Sequence, residues 1–306
     1  MRSILGFIIL VISLGFLFLF DNVLQTHPSS FTISNLQSSK VTHIFQQDND
    51  GLSLPSCVRE RLKDSTLNFN RTWIFKPVQS SLPTKADNLS IYVLSYAGAK
   101  LTRQTFIKNE IEKAGLSATL VTGFDGKNLS TDDINCWISE KGMNDKDLMI
   151  PGRGYMSQTI KSLSVLYDIV NRNLPYGMTI EDDKIINTMT YKSLINTVLD
   201  EAPEGWHLIQ FDECYEGMRP HTWSGCAEHT KSLWRCTQPR CSGNSLYSNE
   251  GARMLLSLVP VDTVMDYLLS KPLGLQILWV EPFASWEDKS LFPSVNNAEA
   301  NKDKKG

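Results

Sequence analysis

Apolar residues fall along this chain in two periods, and their alternation predicts an α/β body. Residues 89–94 carry Ile91, Tyr92, Val93 and Leu94 in a row, which reads as a buried strand. A helix follows. Thr102 stands at its start, Ile107, Ile111 and Ala114 share one face, and Gly115 supplies a left-handed stop. Residues 118–121 read as the next strand, ending in Gly123-Phe124-Asp125-Gly126. Residues 132–151 are polar and read as a loop. Residues 157–171 place Ile160, Leu163, Leu166, Ile169 and Val170 at helical spacing, a stripe that belongs in a core. The run 176–180 reads as a strand, 191–199 as a helix, and 206–211 as a strand after the turn Pro203-Glu204-Gly205. A loop broken by Cys, Pro and Gly covers 217–243. Leu246-Tyr247 is a short strand, Ser248 caps a helix to about 258, and 277–280 is a last strand. Strands alternating with helices predict an open sheet with helices on its faces.

The pattern differs outside this body. Residues 4–20 are apolar without a charge, at the lower edge of a membrane span, behind the short positive flank 1–3. No small-x-small cleavage pattern follows Phe20, so a signal anchor is favoured over a cleaved signal peptide. Arg2 on the cytoplasmic side would place the rest in a lumen. Residues 21–88 are rich in Ser, Asn, Gln, Thr and Pro without sustained periodicity, which predicts a luminal stem. The catalytic domain is expected over 89–290, with a disordered tail over 291–306. The whole reads as a single-pass type II protein of the Golgi or endoplasmic reticulum membrane.

Composition adds two constraints. A net charge of −3 and the lack of a long Lys/Arg tract give no footprint for a nucleic-acid partner. Six cysteines and three N-x-S/T triplets, at Asn70, Asn88 and Asn128, agree with an oxidising compartment. Cys214, Cys226, Cys236 and Cys241, with His221 and His229 among them, lack paired zinc-module spacing, so disulfides are expected, with the pairing open.

The chemistry concentrates at Glu181-Asp182-Asp183, right after the apolar run. On an extended segment alternate residues share a face, so Glu181 and Asp183 point one way and Asp182 the other. Two carboxylates aimed at one point repel unless a cation lies between them, and oxygen ligands suit Mn²⁺ or Mg²⁺. The plainer reading is an acidic turn before a helix; the strand-end position favours the ligand reading. Asp212-Glu213 ends its strand as the triplet does, and ligands of open α/β sheets bind beyond such ends. Asp262 and Asp266 lie one helical turn apart after Pro260 and read most simply as a capping Asp plus a solvated one, and Asp125-Gly126 alone is a hairpin or loop signal and nothing more. Gly152-Arg153-Gly154 is too short to count as a phosphate cradle, although Arg153 could meet a phosphate. There is no G-x-S-x-G, H-E-x-x-H, P-loop or G-x-G-x-x-G.

The order of motifs over about 90–282 resembles glycosyltransferase family 25, which includes bacterial lipopolysaccharide sugar transferases and animal collagen galactosyltransferases. The resemblance is carried by Ile91-Tyr92-Val93-Leu94 with Arg103, by Gly123-Phe124-Asp125-Gly126 with Leu129, and by Gly154 and Ser157. It continues through Ile180-Glu181-Asp182-Asp183, Asn244-Ser245-Leu246-Tyr247-Ser248 with Gly251-Ala252, Pro260-Val261-Asp262 and Val280-Glu281-Pro282. It implies a GT-A type fold: a nucleotide-sugar-binding sheet flanked by helices. It also implies a donor such as a UDP-hexose, transfer with retention, and a divalent metal at the triplet, Mn²⁺ or Mg²⁺. On this template Asp183 and Glu181 hold the metal. Ile91, Arg103, Asp125, Gly126, Glu181 and Asp182 line the donor side, and Asp183, Asp212 and Asp262 are catalytic candidates. The acceptor would be a glycan, protein or lipid. The sequence departs from the family at Ser95-Tyr96-Ala97, often Asn-Leu-Asp there, and at Gln158, often His. Two rival readings stand beside this one: a metal-dependent hydrolase of phosphates or sugar phosphates, and an inactive luminal carbohydrate-binding homologue.

Overall fold

The structure, a computed structural model, describes residues 52–63, 71–73, 83–96, 101–141, 152–213, 219–237, 241–287 and 291. The expected anchor and cytoplasmic flank, much of the stem, Asn70, Cys214 and nearly all of the tail lie outside the described residues. Among the described residues no helix is long and apolar enough to cross a membrane.

The fold is a large mixed sheet with helices on both faces. Nine strands form it: β1 (Arg71–Trp73), β2 (Ser90–Leu94), β3 (Ala118–Val121), β4 (Tyr176–Glu181), β6 (Leu208–Gln210), β7 (Cys226–Glu228), β8 (Leu233–Cys236), β9 (Asn244–Ser248) and β10 (Ile277–Val280). Their order is β1-β3-β2-β4-β9-β6-β10-β8-β7. β2 runs parallel to β3 and to β4, and β6 parallel to β10. β9 lies antiparallel between β4 and β6, so all five parallel strands end at one edge, where β9 begins. Two short strands, β5 (Lys184–Ile186) and β11 (Ser285–Glu287), pair antiparallel beside that edge.

Period-two alternation divides the core. Ile91 and Val93 of β2 face one layer with Met178 and Ile180, against α2 (Leu101–Lys113) and α5 (Tyr191–Glu201), which supply Ile107, Ile111, Ile195 and Val198. Tyr92 and Leu94 face the other layer, against α4 (Gly152–Asn171), α6 (Asn249–Leu256) and α7 (Met265–Leu269). In α4 the expected stripe is completely enclosed: Ile160, Leu163, Leu166 and Ile169 are all buried. Gly115 stops α2 with φ +69°, its amide donating to the Glu112 carbonyl at 2.9 Å. Ser248 caps α6 by accepting from the Gly251 amide at 3.0 Å.

Several segments depart from the pattern reading. Part of the expected loop 132–151 is the helix α3 (Thr131–Trp137), started by a reciprocal box of Ser130 and Asp133. The expected loop 217–243 contains the β7–β8 hairpin, closed by the Cys226–Cys236 disulfide across its first register pair. The packed body also reaches back before residue 89. α1 (Ser56–Lys63) buries Val58 and is tied to α3 by Cys57–Cys136, and β1 extends the sheet beyond β3. Cys241 is disulfide-bonded too, and no described cysteine is free.

Candidate active site

The acidic triplet sits at the common edge of the parallel strands, held by backbone on both sides. The Glu181 amide donates to the Gly243 carbonyl at 2.8 Å and the Asp182 amide to the Leu94 carbonyl at 3.2 Å. β4 ends at Glu181, and Asp182 and Asp183 form the tight turn into β5, which separates the three side chains.

Asp182 turns inward and is buried. Ser95 Oγ donates to its Oδ2 at 2.6 Å, and Arg103 Nε lies 3.3 Å from its Oδ1. Burial pushes its pKa up, while Arg103 and Ser95 pull the other way. Both oxygens face protein donors, which makes Asp182 a structural tie between β4, the end of β2 and α2.

Asp183 and Glu181 turn the other way. Arg103 bridges from Asp182 to Asp183 Oδ2. Asp183 Oδ1 is enclosed and has no hydrogen-bond partner among the described residues. Glu181 accepts from Gln158 Nε2 of α4. Gln158 Nε2 also lies 3.1 Å from Ser242 Oγ, which donates to Asp266 Oδ1 at 2.7 Å. Enclosure raises the Glu181 pKa well above the usual carboxylate range. Lys184 works against that shift, and Asp183, Asp266 and Glu287 reinforce it.

Glu287 completes the group. It lies opposite Lys184 in the β11–β5 register, which carries it to the triplet. One oxygen each from Glu181, Asp183 and Glu287 fall within 4.8 Å of one another. Lys184, 2% exposed, donates to Asp212 Oδ2 at 2.6 Å and to Glu287 Oε1 at 2.8 Å. Burial would strip the Lys184 proton, but Asp212, Glu181, Glu287 and Asp183 together raise its pKa well above the usual lysine range. Burial pushes Asp212 up to about 6 against the pull of Lys184. Gly243 makes room for this pair: a Cβ there would overlap the Lys184 side chain and stand 2.7 Å from Asp212 Oδ2.

The three-oxygen group fits a hard divalent cation. All donors are carboxylates, one enclosed oxygen lacks a partner, and like charges converge where a cation would relieve them. Glu181, Asp183 and Glu287 are the residues that would hold it.

The sequence-derived candidates divide at this edge. Glu181, Asp182, Asp183 and Arg103 come together. Asp212 adjoins them but is committed to Lys184 and buried. Asp125 and Gly126 form the turn after β3, where Asp125 Oδ1 accepts the Lys127 amide at 3.1 Å. Ile91 is a core residue of β2. Asp262 pairs with Lys271 and shares no described bond with the cluster; Asp266, one turn on, does join it through Ser242. Arg153 donates to the Leu129 carbonyl at 3.1 Å. Sequence reasoning missed Glu287 and Lys184 altogether, and gave Ser95 and Gln158 no contact in the site. The two departures from the family pattern are themselves polar contacts of the triplet. No protein-family model matches this chain, and no curated protein matches it.

Proposed function

We propose that this chain is a metal-dependent glycosyltransferase that moves a hexose from a nucleoside-diphosphate sugar to a glycan, protein or lipid acceptor, with retention at the anomeric carbon. The carrying observation is the convergence of Glu181, Asp183 and Glu287 at the carboxyl edge of the parallel strands, with Asp183 Oδ1 enclosed and unpartnered. That edge is where open α/β sheets bind ligands. The antiparallel β9 set among parallel strands is compatible with a GT-A type arrangement, and the motif order resembles glycosyltransferase family 25.

A bound Mn²⁺ or Mg²⁺ would supply Lewis-acid stabilisation of the departing diphosphate. The chain's own residues do the rest. Arg103 spans Asp182 and Asp183 and fixes their spacing. Gln158, which also donates to Ser242, holds Glu181 from the α4 side. Lys184 keeps Glu287 and Asp212 at the edge. Disulfides in the folded body suit the lumen of the secretory pathway, where a type II anchor over residues 4–20 would retain it.

The test is a panel of nucleotide sugars offered to the full chain with Mn²⁺, with and without glycan, peptide and lipid acceptors. Sugar transfer that needs both metal and acceptor supports the reading. Donor or phosphate-ester cleavage that gains nothing from any acceptor makes the protein a hydrolase, and binding without turnover makes it a carbohydrate-binding homologue.

A further inference from the structure

One cation at this edge has no part in the carboxylate group. Lys161 lies on α4, three residues beyond Gln158 and on the same face, and is 4% exposed. Long helical side chains lean toward the helix N-terminus, and Lys161 Nζ reaches back to Ser157 Oγ at 3.1 Å. Ser157 in turn donates to the Phe124 carbonyl at 2.5 Å, which sets the ammonium beneath the Phe124–Asp125–Gly126 turn. Asp125 and Asp182 both act on it through space, but neither bonds to it. Among the described residues its hydrogen-bond partner is that one neutral hydroxyl. An ammonium has three donors, so two remain for a ligand. Burial pulls its pKa down to about 8, and the two aspartates keep it largely protonated near neutrality.

A second feature meets it. The opening turn of α4 is accessible, with Gly152 and Arg153 exposed and Gly154 half-buried. The amides of a helix's first turn have no partners within the helix, and they form its positive end. The turn after β3 closes against it: a Cβ on Gly126 would stand 3.0 Å from the Arg153 carbonyl. Gln158 of the same helix reaches Glu181, so α4 carries both this positive corner and a direct contact to the carboxylate group. A diphosphate can satisfy both, since it carries enough charge for a cation on one side and an ammonium on the other.

Resting on the functional reading above, we propose that Lys161 and the first turn of α4 form a phosphate subsite that takes a non-bridging oxygen of a nucleoside diphosphate.

The experiment is calorimetric titration of the full chain with UDP, GDP, uridine and pyrophosphate at fixed Mn²⁺. Mn²⁺ affinity and the thermal midpoint are measured separately. Lys161→Met should weaken UDP and pyrophosphate binding at least about tenfold, leave uridine and Mn²⁺ binding unchanged, and Lys161→Arg should recover part of the loss. Should the methionine variant fail to fold, Lys161→Gln against Lys161→Arg gives the same comparison. Wild-type UDP and pyrophosphate affinity in the neutral variants overturns the subsite, and so does an equal loss of Mn²⁺ binding, which would make Lys161 a support of the carboxylates. Pyrophosphate binding that depends on Lys161 without any nucleotide binding keeps the subsite and removes the nucleotide-sugar reading. A wild-type chain that binds neither UDP, GDP nor pyrophosphate removes the subsite.

Discussion

The three consecutive acids differ in what their oxygens touch, and this separates their roles. Asp182 is buried with both oxygens facing donors, so Asp182→Ala removes the acceptor of the Ser95 hydroxyl and one of the two carboxylates beside Arg103, which keeps Asp183. Loss of one partner from a buried charged pair is costly, and urea unfolding should show a stability drop of roughly 3 kcal/mol. Asp183 is different, because one oxygen is taken by Arg103 and the other by nothing. Asp183→Asn keeps the shape and removes a cation ligand, so stability should fall by under about 1 kcal/mol while metal-dependent turnover falls at least about 100-fold. Equal stability losses in the two variants, or full turnover in Asp183→Asn, would contradict this division. The sequence showed the triplet, but Asp182 and Asp183 lie in a turn and not on the extended segment expected of them. It could not show that Glu287 joins it, because that carboxylate arrives through the pairing of β11 with β5. Nor does spacing separate Asp262 from Asp266: only tertiary contact gives one to Lys271 and the other to Ser242.

Elements were legible where the pattern was long or sharply punctuated. The strands at 118–121 and 277–280 follow directly from their apolar periods, and so does helix α4, although it begins at Gly152 and not at the expected Ser157. α3 escaped because it is only seven residues long; its usable signal was the Ser130-x-x-Asp133 box. The β7–β8 hairpin escaped because its strands of three and four residues sit among turn formers. A similar local device sits before β2. There Asp87 accepts from the Thr84 amide and hydroxyl at 2.8 and 2.7 Å, and pairs with Lys192 of α5. The Lys192 hydrogen bond leads in drawing its pKa down to about 2, helped by Thr84 and opposed by burial. A carboxylate whose folded pKa is depressed stabilises the fold above its unfolded value, and that share is lost as pH falls from about 4 toward 2. With screening at this partly solvated position, Asp87→Asn should cost about 1 kcal/mol at pH 7. The wild-type and variant stability curves should approach one another as pH falls and converge only below about pH 2. A gap that persists at low pH would contradict this assignment.

For the whole molecule, the stem and body divide differently from the pattern reading. Composition marked 21–88 as irregular, yet α1 is packed into the core and joined to α3 by a disulfide spanning 79 residues. A short helix with few apolar residues carries too weak a period to be read alone. Closing a loop of that length removes chain entropy worth about 4 kcal/mol, so Cys57→Ser with Cys136→Ser should lower stability by roughly 2–4 kcal/mol in thermal or denaturant unfolding. A luminal location makes a separate demand on the surface. Asn88 and Asn128, each in an N-x-S triplet, are both exposed. Expression in a eukaryotic secretory pathway should give a glycosidase-sensitive mass that steps down in Asn88→Gln and again in Asn128→Gln. A chain with no such mass would place the body outside the lumen.

The central claim is a divalent cation held by Glu181, Asp183 and Glu287, and Mn²⁺ titration of the full chain followed by electron paramagnetic resonance tests it most directly. The account predicts one site that quenches the free-ion signal in the wild type, weakened at least about tenfold in Glu287→Gln and lost in Asp183→Asn, with Asp262→Asn as wild type. A free-ion signal unchanged by the wild-type protein, or a site indifferent to Asp183 and Glu287, would contradict it.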